Sequence, residues 1–186
     1  MSIKKLIFNE ESKSANKFFM KMLKWLDHPK RTKYNNPEKL AKASGIQPGQ
    51  TVLEIGCGSG FFTSHASKLL GSEGKLYSTD IHSLAVEETQ KKVNELGLKN
   101  VVVKIDDAMS SSFEDSTFDL VLLYGVVPAP VISMTDISCE IYRVLKPGGV
   151  YAIWTMVPFW SPNAALKSAS FEKMKRVNGV YRFRKL

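Results

Sequence analysis

Cysteine is scarce in this chain: among 186 residues, only Cys57 and Cys139 are cysteines. Two cysteines make neither a disulfide framework nor the ligand set of a metal site. We therefore expect no bound metal and a reducing, cytoplasmic setting. Long apolar runs are also missing, since none approaches the ~20 residues that a helix needs to cross a bilayer. The apolar run at residues 6–8 is too short for the core of a secretion signal.

Acidic residues are scarce in the first quarter of the chain. Residues 1–45 contain 11 Lys and Arg residues but only 4 Asp and Glu residues, whereas residues 46–186 contain 15 and 14. Nearly all of the formal net charge of +8 therefore lies in the N-terminal segment. Such a segment is typical of proteins with an anionic partner, here a substrate, a membrane surface or RNA. A solvated basic helix without a partner explains the pattern equally well.

The N-terminal segment has apolar residues at helical spacing. Residues 14–26 predict an amphipathic helix whose lysines fall mostly opposite its apolar side. That apolar side is formed by Ala15, Phe18, Phe19, Met22, Leu23 and Leu26. Pro37, directly after Asn36, predicts a second short helix that ends at Gly45. We therefore expect residues 1–45 to form a helical cap and residues 46–186 to form an α/β domain.

Strands and helices alternate after residue 50. The sequence predicts strands at residues 51–55, 75–79, 101–105, 118–124 and 150–155, with helices between them that end near residues 70, 96 and 145. A turn is predicted at residues 147–149, which read Pro-Gly-Gly. This alternation is typical of a parallel sheet with helices on both faces. Asn178-Gly179, between β-rich runs at 171–177 and 180–185, predicts a final antiparallel hairpin.

A glycine loop follows the first predicted strand. Gly56, Gly58 and Gly60 form a Gly-x-Gly-x-Gly pattern between that strand and a helix. Such a loop places backbone N–H groups and the positive end of a helix beside a ligand, and glycine permits close approach. The spacing differs from the fingerprint of dinucleotide-binding proteins, and the Gly-Lys-Ser/Thr of nucleotide hydrolases is absent. The pattern favours a bound ligand over a tight turn without one.

Asp80 supports the prediction of a ligand at this loop. It ends the second predicted strand, twenty residues after Gly60. A carboxylate at this place can accept hydrogen bonds from both hydroxyls of a ribose, and it would repel a ribose that carries a 2′-phosphate. An aspartate that only caps the helix beginning near Ser83 is the alternative.

Five motifs in order resemble those of class I S-adenosylmethionine-dependent methyltransferases, a group that includes quinone-pathway and other small-acceptor enzymes. The run VLEIGCGSG is similar to their first motif, and Asp80 in STDI is similar to their acidic residue after strand two. Asp107-Ala108, FDLVLL at 118–123 and LKPGG at 145–149 resemble the later motifs. The resemblance implies a Rossmann-like, seven-stranded sheet with one antiparallel strand. It also implies S-adenosylmethionine as cofactor and S-adenosylhomocysteine as product.

The resemblance also implies which residues contact the cofactor. At the methionine end they are Glu54, Gly56, Cys57, Gly58, Gly60 and the backbone of Tyr124. At the adenosine end they are Asp80, Ile81, Asp107 and Ala108. Asp80 would bind the ribose, Ile81 would pack on the adenine, and Asp107 would contact the adenine amino group.

The sequence assigns no catalytic residue. Transfer from a sulfonium needs alignment and exclusion of water, and it needs a general base only if the acceptor holds a proton. Tyr124 lies nearest the expected transfer point, whereas His28, Tyr34 and His82 are weaker candidates. Residues 124–130 lack the Asn/Asp-Pro-Pro-aromatic motif of family members that methylate amide or exocyclic amino nitrogens. The two cysteines cannot supply the set that arsenic methylation uses.

The cover over a substrate must come from few residues. Only about fifteen residues, 156–170, separate the fifth predicted strand from the hairpin, so residues 1–45 and the loop at 126–135 are the expected cover. The lid would use the apolar residues Phe18, Phe19, Met22, Leu23 and Trp25 and the basic residues Lys17, Lys21, Lys24, Lys30, Arg31 and Lys33. Such a lid suits a small amphiphilic acceptor, such as a quinone precursor or lipid, approached from a membrane surface. Alternatively, the helix only covers one edge of the sheet.

A small-molecule methyltransferase is therefore the leading hypothesis. An RNA methyltransferase that uses the basic segment is less favoured, because no RNA-binding module is appended. Its signature would be RNA binding with a steep salt dependence. A non-enzymatic nucleotide-binding protein is the third hypothesis, and it predicts binding of NAD at least as tight as binding of S-adenosylmethionine.

Overall fold

The computed structural model describes residues 12–26, 28, 35–129, 132–163, 166 and 170–186. Seven strands form one sheet: β1 (Thr51–Ile55), β2 (Lys75–Asp80), β3 (Val101–Ile105), β4 (Phe118–Tyr124), β5 (Leu145–Trp154), β6 (Phe171–Lys173) and β7 (Tyr181–Lys185). Their order is β3-β2-β1-β4-β5-β7-β6. β7 runs antiparallel to both neighbours, and the pairs among β1 to β5 are parallel. The predicted α/β fold is confirmed.

The described residues include five α-helices: α1 (Lys13–Leu26), α2 (Pro37–Ser44), α3 (Thr63–Leu70), α4 (Ser83–Glu95) and α5 (Met134–Val144). Local sequence explains both ends of α2. The side chain of Asn36 accepts a hydrogen bond from Lys39 N at 2.9 Å, and Gly45 ends the helix with a left-handed φ of 95°. Helices α3, α4 and α5 each connect two parallel strands, as the alternating pattern predicts.

Both faces of the sheet are buried at its centre. In β4, Leu120 and Leu122 point into one apolar cluster, which includes side chains of α2 and α3. Val121 and Leu123 point into a second cluster, which includes side chains of α5. Burial on both faces explains why β4 is almost wholly apolar. The carboxyl ends of β1, β2 and β4 meet at one edge of this sheet.

The structure corrects two strand boundaries. β5 begins at Leu145 rather than at Val150, because Leu145 pairs with Phe118 before an irregularity shifts the register. The Pro-Gly-Gly run therefore lies inside the strand, and a Cβ on Gly149 would stand 2.8 Å from the carbonyl oxygen of Lys146. β6 ends at Lys173 rather than at residue 177. The predicted hairpin turn is present: Asn178 and Gly179 have φ values of 46° and 82°.

The two N-terminal helices pack differently. α2 contributes Leu40, Ala41 and Ala43 to the main apolar cluster of the sheet. α1 instead packs on α4, where Phe19 and Leu23 bury against Ala85. Phe18 and Trp25 are exposed, so α1 uses only part of the apolar side that its sequence predicts. Among the described residues, no helix is long and apolar enough to span a bilayer.

Candidate functional site

The glycine loop is held in shape by its own amides. Gly56 N and Cys57 N both donate to the carbonyl oxygen of Thr79, at 2.8 and 2.9 Å. Gly60 N donates to the carbonyl oxygen of Cys57 at 2.8 Å. The three glycines of the pattern have φ values of 75°, 57° and 71°, in the left-handed region where glycine is favoured. The left-handed glycines and these backbone hydrogen bonds therefore give the loop a defined shape.

Gly56 is constrained a second time, by a neighbouring loop. A Cβ at this position would collide with the side chain of Val126. Val126 follows β4, so the loop after β4 rests directly on the glycine loop. No side chain larger than hydrogen fits at position 56 without movement of Val126, whose side chain covers this glycine.

Asp80 lies at the end of β2 and contacts the glycine loop directly. Its Oδ2 accepts a hydrogen bond from Gly58 N at 3.1 Å, and its Oδ1 accepts one from His82 N at 3.0 Å. Burial raises the pKa of Asp80, while the backbone N–H donors oppose that shift. Each oxygen keeps lone pairs beyond its backbone bond, so the carboxylate can accept hydrogen bonds from a ligand.

Glu54 lies beneath the loop and is 2% exposed. Its Oε2 accepts hydrogen bonds from Thr63 Oγ1 at 2.7 Å and from Ser78 Oγ at 2.6 Å. These bonds join β1, β2 and the start of α3. Burial raises the pKa of Glu54 to about 7, although both hydroxyls favour the charged form. The site thus contains a buried carboxyl group that titrates near neutral pH.

The second predicted acidic residue, Asp107, is brought to the same edge. Asp106 N donates to the carbonyl oxygen of Asp80 at 3.1 Å, which joins the ends of β2 and β3. Asp107 Oδ1 accepts a hydrogen bond from Met109 N at 3.0 Å, so this segment turns sharply. Ala108 packs against the second apolar cluster and is half-buried.

An ion-paired clamp from α5 holds the segment that follows Asp107. Glu140 Oε1 accepts from Ser111 N at 2.9 Å, and Arg143 Nη2 donates to the carbonyl oxygen of Ser111 at 3.2 Å. Arg143 Nη1 also pairs with Asp115 at 2.6 Å. The guanidinium of Arg143 holds the pKa of Glu140 below its usual value. The segment that follows Asp107 is therefore fixed by α5, which packs in the same apolar cluster as Ala108.

Tyr124 points away from the edge. Its hydroxyl donates to the carbonyl oxygen of Leu40 at 2.9 Å, and its ring contacts Phe62 and Trp154 edge-on or tilted. Burial raises the pKa of this phenol. A group so placed is unsuited to act as a general base, although the backbone at Tyr124 lies at the end of β4. Ile81, next to Asp80, is half-buried.

The other candidate bases cap a helix, lie exposed or fall outside the described residues. His82 Nδ1 accepts from Leu84 N at 3.3 Å, so this side chain caps the start of α4. His28 is exposed, and Tyr34 falls outside the described residues, as do Lys30, Arg31 and Lys33. Within the described part of the chain, no group of three or more His, Cys, Asp or Glu side chains is arranged to hold a metal ion.

Helix α1 lies across this edge of the sheet. Leu23 Cδ2 is 3.7 Å from the place where a Cβ on Gly58 would stand. Phe19 stacks on His82 with a ring separation of 3.7 Å and an interplanar angle of 5°. Two side chains of α1 thus cover the loops on both sides of the Asp80 carboxylate.

Sequence reasoning missed the residues that support the site. Ser78 could have been found from the sequence, since it is a hydroxyl residue in a predicted buried strand, and in the structure it pairs with Glu54 on the neighbouring strand. Thr63 could have been found as a hydroxyl residue shortly after the glycine loop. Val126 and Arg143 carry no such signal, because their partners lie far away in the sequence. Only the fold brings these side chains together.

The comparisons with known proteins decide the family. A family model described as a methyltransferase domain matches residues 46–182. The structure of an S-adenosylmethionine-dependent methyltransferase from Aquifex aeolicus matches with a TM-score of 0.75 and 28% identity, covering 88% of this chain and 96% of that one. This chain belongs to the class I S-adenosylmethionine-dependent methyltransferase family. The predicted family is confirmed.

Relatives of this methyltransferase include enzymes named for quinone synthesis. The demethylmenaquinone methyltransferase of Geobacillus sp. (strain WCH70) is 32% identical over 113 residues, which cover 60% of this chain and 47% of that protein. The ubiquinone/menaquinone biosynthesis C-methyltransferase UbiE of Haemophilus ducreyi is 30% identical over 141 residues, or 74% of this chain and 54% of that protein. The chain spans about half the length of these curated relatives.

Proposed function

We propose that this methyltransferase transfers a methyl group from S-adenosylmethionine to a small, partly apolar acceptor. The contact between Asp80 and Gly58 N carries the proposal, because it sets a carboxylate for ribose hydroxyls against the glycine loop. The cofactor, when bound, supplies a methyl group already activated on a sulfonium. The protein then has to bind, orient and dehydrate the reactants.

The residues present fit this cofactor. The glycines of the loop carry no side chains, which permits close approach of a ligand to the loop backbone. Glu54 and Asp80 place acidic groups at the loop, which suits a ligand with an ammonium group at one end and an unphosphorylated ribose at the other. Asp107 and Ala108 follow the adjacent strand, where the adenine edge would lie.

The chain's own residues supply positioning rather than proton transfer. Asp80 would orient the ribose, the backbone from Gly56 to Gly60 would line the methionine end, and α1 would exclude water. Alignment of this kind contributes up to ~7–11 kcal/mol of barrier reduction. Since the Tyr124 hydroxyl is buried on Leu40, we assign it no proton to move.

The proposed acceptor class rests on the residues at the mouth of the site. The loops after β4 and β5 present the partly or fully exposed side chains of Val126, Met156 and Trp160, which are apolar. Several relatives are named for methylation of quinone precursors, and one, from Schizosaccharomyces pombe, for C-methylation of a sterol. A hydroxylated ring precursor of a quinone is therefore the first acceptor class to test.

The cap is part of the same proposal. We infer that residues 1–45 act as the lid and residues 46–186 as the cofactor-binding domain, with α1 as the covering element because Leu23 and Phe19 lie over its loops. The basic residues of this segment suit an anionic partner or membrane surface better than a nucleic acid, since large apolar side chains lie among them. The free cysteines Cys57 and Cys139 are usual in a reducing, cytoplasmic setting.

Calorimetry with the wild type and Asp80→Ala tests the cofactor assignment. We expect the wild type to bind S-adenosylmethionine and to bind NAD far more weakly. Loss of two hydrogen bonds to the ribose should weaken S-adenosylmethionine binding in Asp80→Ala by roughly a hundredfold. Glu87→Ala removes an exposed carboxylate on α4 and should leave the affinity unchanged.

Two results would contradict the assignment. An Asp80→Ala protein with full affinity for S-adenosylmethionine removes the ribose contact from the site. A wild type that binds NAD at least as tightly as S-adenosylmethionine favours a non-enzymatic nucleotide-binding protein instead. Acceptors are then sought by incubating cell extract with methyl-labelled cofactor and identifying the labelled fraction.

A further inference from the structure

Helix α1 exposes two large aromatic side chains beside its lysines. Phe18 is 71% exposed and Trp25 is 62% exposed. Lys21 lies between them on the same stripe of the helix, because residues three and seven positions apart share one side. Lys17 and Lys24 flank this stripe and are also exposed. The helix contains four lysines and no acidic residue.

The loop after β5 exposes a second apolar group. Met156 is 39% exposed, Val157 is 47% exposed and Phe159 is fully exposed. Phe159 has a φ of 64°, a left-handed conformation that is rare for an aromatic residue. The base of this loop is anchored, because the Tyr181 hydroxyl donates to the carbonyl oxygen of Trp160 at 3.1 Å. A fixed backbone thus presents an aromatic ring to the surroundings.

Both groups lie at the edge of the sheet that carries the cofactor site. α1 lies over the loop that follows β1, and residues 155–160 follow the carboxyl end of β5. β1 and β5 both pair with β4 in parallel. Their carboxyl ends are therefore roughly 10 Å apart, at the usual spacing of strands. Two segments that are distant in sequence therefore expose apolar side chains at the same edge of the sheet.

A bilayer with anionic lipids is the partner that fits this combination. Aromatic side chains that enter the interface, next to lysines that remain at the headgroups, are characteristic of surface-bound amphipathic helices. Negative lipid headgroups attract lysines near the surface. A second copy of the chain fits less well, because its α1 would bring four further lysines against the first four.

We propose that Phe18, Trp25 and the loop Met156 to Phe159 form one membrane-binding surface, which seats the cofactor edge of this methyltransferase on an anionic bilayer. The inference rests on the proposed function, because a bilayer is where a partly apolar acceptor dissolves. The proposed surface adds the loop Met156 to Phe159 to the basic lid. The mouth of the site, between the loops after β4 and β5, would then face the lipid.

Flotation of the full-length protein with phospholipid vesicles tests this surface. The wild type should float with vesicles that contain phosphatidylglycerol and remain below vesicles of phosphatidylcholine alone. Trp25→Gln and Phe159→Asn should each lower the partition coefficient roughly tenfold, since each removes one inserted ring. The triple variant Lys17→Glu, Lys21→Glu, Lys24→Glu should lower it roughly a hundredfold or more. Asparagine at 159 tolerates the left-handed backbone.

Matched controls lie at the opposite edge of the sheet. Leu96→Gln replaces an exposed leucine at the end of α4, and Lys68→Glu with Lys99→Glu reverses two exposed charges. These variants should float like the wild type. Equal losses in controls and test variants would overturn the proposed surface, as would a wild type that stays in the aqueous fraction. Tight RNA binding without vesicle binding would also overturn it, in favour of a nucleic acid partner.

Calorimetry on the same samples separates the two proposals. Phe159→Asn, which lies outside the lid, should keep wild-type affinity for S-adenosylmethionine in solution while it loses vesicle binding. A protein that binds vesicles as expected but not S-adenosylmethionine would contradict the proposed function and leave the surface intact. Retained cofactor binding without flotation would contradict only the surface.

Discussion

The buried carboxyl group of Glu54 makes the free energy of unfolding depend on pH. Its pKa is raised from 4.5 to about 7 in the folded protein, mainly by burial. The folded state therefore binds more protons than the unfolded state between these values. The contribution of Glu54 to the free energy of unfolding is fully present below about pH 4.5 and falls by about 3 kcal/mol as pH rises through 7.

Replacement of Glu54 by glutamine should remove this dependence. The amide oxygen of Glu54→Gln can still accept from Thr63 and Ser78, but it carries no proton to lose. Urea unfolding from pH 5 to 9 should show the wild type losing stability relative to Glu54→Gln as pH rises. Parallel curves for the two proteins would mean that Glu54 does not titrate in this range.

At the scale of elements, the clamp from α5 has a measurable consequence for the adenosine end. Arg143→Ala removes the bonds to the Ser111 carbonyl and Asp115 and leaves Glu140 without its cationic partner. The segment after Asp107 then loosens. We expect stability to fall by about 1–2 kcal/mol and affinity for S-adenosylmethionine to fall by roughly threefold to tenfold, as measured by unfolding and calorimetry.

Two further variants show whether this is a positioning effect. Arg143→Lys keeps the charge but cannot reproduce the forked bonds of a guanidinium, so it should rescue only part of the affinity. Arg184→Ala breaks an exposed pair with Glu172 at 3.6 Å and should change neither quantity appreciably. If Arg143→Ala binds the cofactor like the wild type, the clamp serves stability alone.

The elements also show what sequence reasoning can and cannot reach. Glycine spacing and alternating apolar runs predict β1 to β4 with little error, because these signals are local. The start of β5 at Leu145 is not predictable from Pro-Gly-Gly, which usually marks a turn, since its pairing with Phe118 decides it. The exposure of Phe18 is not predictable from the sequence either, because helical periodicity does not show which part of an apolar side contacts a neighbouring element.

The family and fold are predicted correctly, whereas the individual cofactor contacts stay predictions. Asp80 and Glu54 lie at the glycine loop, as their motif implies. Tyr124 and His82 are candidate bases on sequence position alone. In the structure the Tyr124 hydroxyl donates to the carbonyl oxygen of Leu40, and the His82 side chain caps the start of α4. Chain order shows that a residue ends a strand, but packing decides where its side chain points.

At the scale of the whole molecule, the α/β body and α1 are separable in packing. Among the side chains that the structure describes, none from α1 belongs to the two large apolar clusters. Deletion of residues 1–33 should therefore leave a folded protein, with a circular dichroism spectrum and cooperative melting like those of the full chain. Affinity for S-adenosylmethionine should fall by roughly tenfold, because Phe19 and Leu23 no longer cover the loops.

A full-length variant, Leu23→Ser, gives the matched test of the cover. It keeps α1 in the chain but removes the apolar contact over Gly58. A partial loss of cofactor affinity is expected, smaller than that of the deletion. Unchanged affinity in both proteins would show that α1 only shields one edge of the sheet.

The steric contact between Val126 and the Cβ position of Gly56 bears on how the proposed acceptor range can be redesigned. Shortening Val126 opens space above the cofactor loop without removing any hydrogen-bonding group from it. A larger residue at position 56 would instead displace the loop after β4, so that both this loop and the glycine loop would change shape. Engineering toward bulkier acceptors would therefore start with Val126→Ala and leave the glycine untouched.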